Sequence, residues 1–232
     1  MNILITRPLI DTEDLMGKLF SLGHKIIHVP TLKISSIKSV TIDFKKYDAI
    51  ILTSANALRN LKVMNNDENK LFFCVGSITE KIARKLGYIN TISAGGNVNA
   101  LKNLIMNSNR ISKNSKIAYL CGDNLTSELD SELNKEGMNI EKIINYTSHK
   151  ITDINDENKK IIASHPPDII FVYSKRSAES FVELVKKYAL NGLMTDSRVL
   201  CISEKVLNVF KQLGWKKLEV FEPGEEIIKL GP

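Results

Sequence analysis

Two stretches of the chain carry the same order of polar and apolar positions. DAIILTSANALRNL begins at Asp48 and DIIFVYSKRSAESF at Asp168; each runs from an acidic residue through five apolar or nearly apolar positions to a serine, then into an amphipathic helical pattern. CVGSITEKIARKLGY from Cys74 and CISEKVLNVFKQLGW from Cys201 form a second pair, with Leu86-Gly87 on Leu213-Gly214 and Tyr88 on Trp215. A weaker third pair sets ILIT from Ile3 against IAYL from Ile117, and Leu15, Leu19 and Gly23 against Leu129, Leu133 and Gly137. The spacing between partners drifts from pair to pair, as in a duplication whose loops have changed length. The chain therefore reads as segments A, B, C and then A′, B′, C′.

Each segment has a short run of Ile, Val, Leu or Phe, a helical pattern, and usually a glycine that ends the helix before the next strand. Such alternation predicts α/β architecture with parallel sheets covered by helices on both faces. In B the strand is expected over residues 49–53, with Ser54 capping a helix to about residue 61. In B′ the strand covers 169–173, and Ser174 caps a helix to about residue 188. Helices opening near Ser77 and Glu204 stop at Gly87 and Gly214, and another is expected over 97–107. Residues 31–47 and 147–167 lie at equivalent places outside the segments and read as crossings. A cut near residue 112 gives two consecutive domains; crossings at both places also allow A to join B′ and C′ around an inserted middle. Spacing alone leaves both open.

Composition changes this picture little. With 43% hydrophobic and 25% charged residues, the 232-residue chain has the balance of a soluble globular protein. The net charge of +6 suits an acidic partner, but the basic residues form no block of the kind that nucleic-acid tails use, and aromatics are only 6%. Cys74, Cys121 and Cys201 make no CxxC pair, and Cys74 and Cys201 sit in apolar strand-like runs, which fits buried thiols in a reducing cytoplasm. Arg7 and Asp11 interrupt the N-terminus too early for a signal peptide, and no apolar run approaches the length of a membrane span.

In open parallel sheets, ligands bind beyond the carboxyl ends of the strands. There the sequence offers Thr6, Arg7 and Pro8; Thr53, Ser54 and Asn56; Gly76, Ser77 and Thr79; Gly122 and Asp123; Ser174, Lys175, Arg176 and Ser177; and Ser203, Glu204 and Lys205. These are hydroxyls, amides and a few cations, with no nucleophile beside a base. Ser54, Ser77, Thr79 and Ser174 read first as helix caps, and Asp123 and Glu204 as capping carboxylates rather than acids or bases. Of the histidines, none occupies a strand end, and His24 and His28 in HKIIH suit an alternating strand better than a metal site. No G-x-G-x-x-G follows a strand, no P-loop motif occurs, and Gly95-Gly96 reads as a turn. One local conflict favours chemistry: Lys175 and Arg176 open a helix at the positive end of its dipole, which together with free amides makes an anion site. Tyr146, closing IEKIINY, reads on its own as a strand tyrosine.

ILITRP, IILTSANAL, CVGSITEKIARKLG, YLCGD, INY, IIFVYS and CIS…LGW run in the order seen in uroporphyrinogen-III synthases, and the chain resembles that family over nearly its whole length. The resemblance implies two Rossmann-like domains, duplicated and intertwined, joined by two crossing β-strand linkers. On that reading residues 1–34 with 151–232 form one domain, 35–150 the inserted one, and the linkers lie near 31–40 and 146–153. It implies a linear tetrapyrrole polycarboxylate, hydroxymethylbilane, as substrate, cyclised with inversion of ring D in a cleft between the domains. No cofactor, metal, nucleic acid or membrane is implied; a cytoplasmic monomer is, with a transient contact to the preceding pathway enzyme. Carried over by position, Tyr146 is the catalytic candidate that assists departure of hydroxide. Arg7, Thr53, Ser54, Ser77, Thr79, Gly122, Ser174, Lys175, Arg176, Ser203 and Lys205 are the substrate-binding candidates. Where many relatives have a hydroxyl-rich turn this chain has Ser203, Glu204, Lys205 and Val206, so a threonine contact is lost; either Lys205 replaces it with an ionic contact or that edge of the cleft differs. EPGEEIIKLGP is expected to fall short of the family's longer final helix. A different class, a two-lobed cytoplasmic binding or sensor protein for an anionic small molecule, would share the duplicated lobes and strand-end hydroxyls.

Overall fold

The structure is a computed structural model that describes all residues except 38, 39, 60, 126, 212 and 232. Two positions of the expected first crossing, 38 and 39, one of the expected helix after Ser54, 60, and the last residue of the C-terminal segment, 232, thus lie outside the described residues. The chain divides into two compact units, Met1–Lys33 with His149–Pro232, and Ile34–Ser148.

The first unit begins with β1 (Asn2–Ile5), α1 (Glu13–Ser21) and β2 (Lys25–His28). β3 (Leu32–Ser36) leads into the second unit, which continues with β4 (Thr41–Asp43), β5 (Ala49–Leu52), β6 (Lys62–Met64), β7 (Leu71–Cys74), α2 (Ser77–Lys85), β8 (Thr91–Ser93), α3 (Val98–Met106), β9 (Lys116–Gly122) and α4 (Leu129–Lys135). The long β10 (Asn139–Lys150) leads back to α5 (Asp156–Ser164), β11 (Ile169–Val172), α6 (Lys175–Lys187), α7 (Asn191–Met194), β12 (Arg198–Cys201), α8 (Glu204–Lys211) and β13 (Leu218–Val220).

The first unit's sheet has the order β13-β12-β11-β1-β2 and the second's β3-β10-β9-β5-β7-β8, with a separate two-stranded β4-β6 ladder. The pairings are parallel except that of β3 with β10, which is antiparallel: the Ile37 N–H donates to the Asn145 carbonyl and the Ile151 N–H to the Thr31 carbonyl. Segment A supplies β1, which pairs with β11 of B′, and segment A′ supplies β9, which pairs with β5 of B. The fold is therefore a duplicated, intertwined pair of mostly parallel α/β sheets.

The repeated acidic residue now has a reason. Asp48 accepts from the Lys116 amide at 2.7 Å while its own N–H donates to the Lys116 carbonyl at 2.8 Å. Asp168 does the same with Asn2, at 2.7 and 2.8 Å. Each aspartate registers the B strand against the strand that arrives from the other segment type.

Helices cover both faces, so the central strands are buried on both sides and read as unbroken apolar runs rather than alternating ones. In the first unit Ile3, Ile5, Ile169, Phe171 and Leu200 pack on one face, and Leu4, Ile170, Val172, Val199 and Cys201 on the other. In the second, Ile50, Leu52, Phe72, Cys74 and Leu120 lie opposite Ala49, Ile51, Phe73, Tyr119 and Cys121. Gly23, Gly87, Gly137 and Gly214 follow the helices at φ of 81°, 96°, 85° and 77°, a left-handed region where a Cβ is disfavoured.

One expected element differs. Ser54 opens only a 3-10 turn, Ala55–Ala57, instead of a helix to residue 61. Beyond it the Leu61 N–H donates to the Leu58 carbonyl in another tight turn, and the chain passes directly into β6, which pairs with β4 from where the helix would have ended. Among the described residues no helix is long and apolar enough to cross a membrane.

Candidate active site

In the second unit Tyr146, within β10, lies beside the carboxyl end of β9. Its pairing with β9 is regular through Ile144–Cys121, then shifts so that Tyr146 lies opposite Gly122. This bulge re-aims the side chain. The phenol ring lies directly over the glycine: a Cβ on Gly122 would stand 2.5 Å from Cε2, 2.6 Å from Cζ and 3.0 Å from the hydroxyl. No side chain other than hydrogen fits there.

Ser54 approaches the same phenol. Its backbone is extended and its Oγ accepts from the Asn56 N–H at 3.2 Å; Ser54 and the Gly122 backbone are the polar groups that offset the effect of burial on the Tyr146 phenol. Burial dominates and raises the phenol above its ordinary value of 10.0, while these two groups pull the other way. At neutral pH Tyr146 is a neutral phenol with a proton to donate, beside polar groups that would stabilise its anion.

Neighbouring groups brace this arrangement. Thr53 Oγ1 lies 3.0 Å from the hydroxyl of Tyr119, whose buried phenol is pushed up to about 12. Asn145 is 5% exposed, and its Nδ2 donates to the Ala57 carbonyl at 2.6 Å. Asp123 is no helix cap: its Oδ1 accepts from the Ser148 N–H at 3.0 Å and its own N–H donates to the Tyr146 carbonyl at 3.1 Å, clasping β10 on both sides of Thr147. At the end of β7, α2 starts at Ser77 with Gly76 as the N-cap, so Ser77 and Thr79 occupy the first turn and are not caps. Ser77 is exposed and Thr79 buried. Gly95 and Gly96, at φ of 81° and 105°, fold back so that the Gly96 N–H donates to the Val75 carbonyl at 2.7 Å.

In the first unit Ser174 caps α6, accepting from the Ser177 N–H at 3.0 Å. Lys175 is exposed and 3.6 Å from Glu179 one turn on; Arg176 is half-buried. Thr6 is fully buried and donates to the Phe171 carbonyl at 2.9 Å, while Arg7 lays its guanidinium 4.6 Å from the ring centre of Tyr173. Tyr173 donates to Glu226 at 3.1 Å, and the same carboxylate accepts from the Gly224 N–H at 2.8 Å. Burial, then the Glu226 charge, raise the Tyr173 phenol far above its usual range. Ser203 lies half-buried before α8, where its carbonyl accepts from the Val206 and Leu207 N–H groups; Lys205 is exposed. Glu204 lies in the first turn, 3.8 Å from Lys211.

The structure thus joins Thr53, Ser54, Gly122 and Tyr146 in one cluster, and Arg7 with the start of α6 in the neighbourhood of Tyr173. Three residues escaped the sequence reading: Asn145, Tyr173 and Glu226. An asparagine directly after Ile143 and Ile144 runs against strand preference, a faint local signal. Nothing in the spacing tied Glu226 to a strand end 53 residues away.

Among the described residues no cluster of His, Cys, Asp and Glu could hold a metal ion. No curated protein matches the chain. A Helicobacter pylori uroporphyrinogen-III synthetase structure is similar at 14% identity and a TM-score of 0.62, with 99% of each chain covered. A mutant uroporphyrinogen III synthase from the extremely thermophilic bacterium Thermus thermophilus is similar at 12% identity and a TM-score of 0.57, over 96% of this chain and 93% of that one. These likenesses speak for the fold. The family model described as Uroporphyrinogen-III synthase HemD matches residues 13–224, nearly the whole chain, and on that match the chain belongs to the uroporphyrinogen-III synthase family of porphyrin and heme biosynthesis enzymes.

Proposed function

We propose that the chain cyclises hydroxymethylbilane to uroporphyrinogen III with inversion of ring D and loss of water, which makes it a hydro-lyase. The observation that carries this reading is the seating of Tyr146: a neutral, half-buried phenol where the β9–β10 pairing ends, lying on Gly122 with Ser54 beside it. Burial keeps the phenol neutral at neutral pH, so it has a proton to give to an acceptor in the site.

The acceptor is the departing hydroxyl of the substrate. As the hydroxymethyl C–O bond breaks, the pyrrole nitrogen lone pair of ring A fills the vacancy, the phenol proton goes to the oxygen, and water leaves an azafulvene. Ser54 and the Gly122 backbone stabilise the phenolate character that develops on Tyr146. The new carbon electrophile is attacked by the substituted position of ring D, giving a spiro-pyrrolenine that fragments and recloses with ring D inverted. The proton lost as the last pyrrole rearomatises restores the phenol, so the net change is one water.

No strong nucleophile enters this sequence; the protein's work is to hold one conformation of a flexible polyanion. We assign the substrate carboxylates to Arg7, Lys175, Arg176 and Lys205, to the hydroxyls of Thr53, Ser54, Ser77, Thr79, Ser174 and Ser203, and to the amides around Gly122. The reading also places the chain in the cytoplasm as a monomer that receives a labile substrate by transient contact with the enzyme that makes it. Three buried, free thiols support a reducing compartment.

The test is to supply freshly generated hydroxymethylbilane, oxidise the products and separate the porphyrin isomers. Predominantly type III isomer is expected. Type I alone, the product of unassisted closure, from folded protein would overturn the proposal and leave a protein that binds anions without turning them over.

A further inference from the structure

Asn145 is the extra residue at the β10 bulge, and its place is costly. It is 5% exposed; Nδ2 donates to the Ala57 carbonyl, and Oδ1 is buried with no partner among the described residues. Buried polar atoms are nearly always satisfied, and exceptions concentrate where something other than stability is served. An apolar strand residue would avoid the orphan oxygen, and its neighbours Ile143 and Ile144 are of that kind.

The bond Asn145 makes spans the two halves of the cluster. Ala57 closes the 3-10 turn that begins at Ser54, and Tyr146 is the next residue after Asn145. One end of the amide is therefore anchored to the strand that aims the phenol, and the other to the turn that carries Ser54. The Asn145 carbonyl is also engaged, accepting from the Ile37 N–H at 2.9 Å, which fixes the backbone of the bulge.

We infer that Asn145 is a positioning residue for the dehydration step: its side-chain amide locks the Ser54 turn to the β10 bulge, so that Ser54 and Tyr146 are set as one unit. It touches no substrate and acts through Tyr146. The inference rests on the proposed role of Tyr146.

The test replaces Asn145 with Leu, which keeps the branching at Cγ and removes the bond, and with Thr, which suits a strand and serves if the leucine variant does not fold. Each is made in the parent and in a Tyr146→Phe background. In the parent, kcat for type III formation should fall on the order of 10- to 100-fold, the scale of a small misplacement of catalytic groups, with KM within about twofold. In the Tyr146→Phe background the same replacement should cost less than about twofold, because the group it positions is already gone. Equal losses in the two backgrounds, or a change confined to KM, would overturn the inference. A second readout is independent of turnover: the ultraviolet titration of Tyr146, isolated as the difference from the Tyr146→Phe protein, should move to higher pH in the Asn145 variants as Ser54 is displaced from the phenol. An unmoved titration overturns the inference. If the parent makes no type III isomer, the proposed function fails on its own while the titration still decides the positioning.

Discussion

At the scale of single residues, the contact between Gly122 and Tyr146 makes the sharpest demand. An added methyl group would enter the phenol ring, 2.5 Å from the nearest carbon, so the ring or the strand has to move. Gly122→Ala should therefore lower kcat on the order of 100-fold, in the range assigned to loss of a positioned acid, while the circular dichroism of the folded state persists. Gly17 in α1 is the internal contrast: nothing lies within 4 Å of its added Cβ, and alanine there should stabilise by about 0.5–1 kcal/mol in denaturant titration. If both substitutions behave alike, the contact at Gly122 has no special role. The pH dependence follows from the same tyrosine. Its pKa is raised above 10.0, mainly by burial, so the proton required for water loss is retained through neutral pH and lost only above that value. The kcat profile should carry no alkaline fall attributable to Tyr146 below pH 10, and Tyr146→Phe should leave a low rate without that limb.

At the scale of elements, Ser174 carries two possible duties that substitution separates. It caps α6, a helix whose buried face includes Phe181, Leu184 and Val185. Ser174→Ala removes the cap and should cost about 1 kcal/mol of stability, measured by chemical denaturation. Ser174→Asp keeps an acceptor for the Ser177 amide and adds a charge that favours the helix N-terminus. It should preserve stability yet raise KM for a carboxylate-rich substrate; an unchanged KM would reduce Ser174 to a cap alone. This pair of serines also marks how far sequence could be read. The strands, the glycine stops and the α6 cap were legible because each depends on local chemistry: apolar runs, positive φ, a hydroxyl before a helix. The helix after Ser54 was not, because the pairing of β6 with β4 is a tertiary choice that overrode the local pattern. Tyr146 could be picked out only through family resemblance, since its partners Ser54 and Gly122 come from strands far apart in the chain. Asn145 left a faint local trace and Glu226 none, its role being fixed by where the C-terminal segment happens to fold.

At the scale of the molecule, the duplication and the discontinuity of the first unit bear on how it unfolds. The second unit, Ile34–Ser148, is continuous, with its cores built from one stretch of chain. The first unit needs β1 beside β11, whose paired residues Ile3 and Ile169 are separated by the whole insert. While the second unit is folded, that insert is a compact object; once it unfolds, the same residues become a long flexible loop whose closure costs entropy. Loss of the second unit should thus pull down the first, whereas the first can open and leave the second intact. The cysteines report this directly. Cys74 and Cys121 belong to the second unit and Cys201 to the first, all three are buried, and burial pushes their thiols up to about 12, 11 and 12. In the native protein none should react with an alkylating reagent near neutral pH, since the thiolate is the reactive form and none is exposed. Along a denaturant series read by mass spectrometry, conditions should appear in which Cys201 is labelled while Cys74 and Cys121 remain protected, and none in which the reverse holds. Simultaneous labelling of all three at every denaturant concentration would mean that the two units unfold as one, and labelling of Cys74 and Cys121 ahead of Cys201 would contradict the loop-closure argument outright.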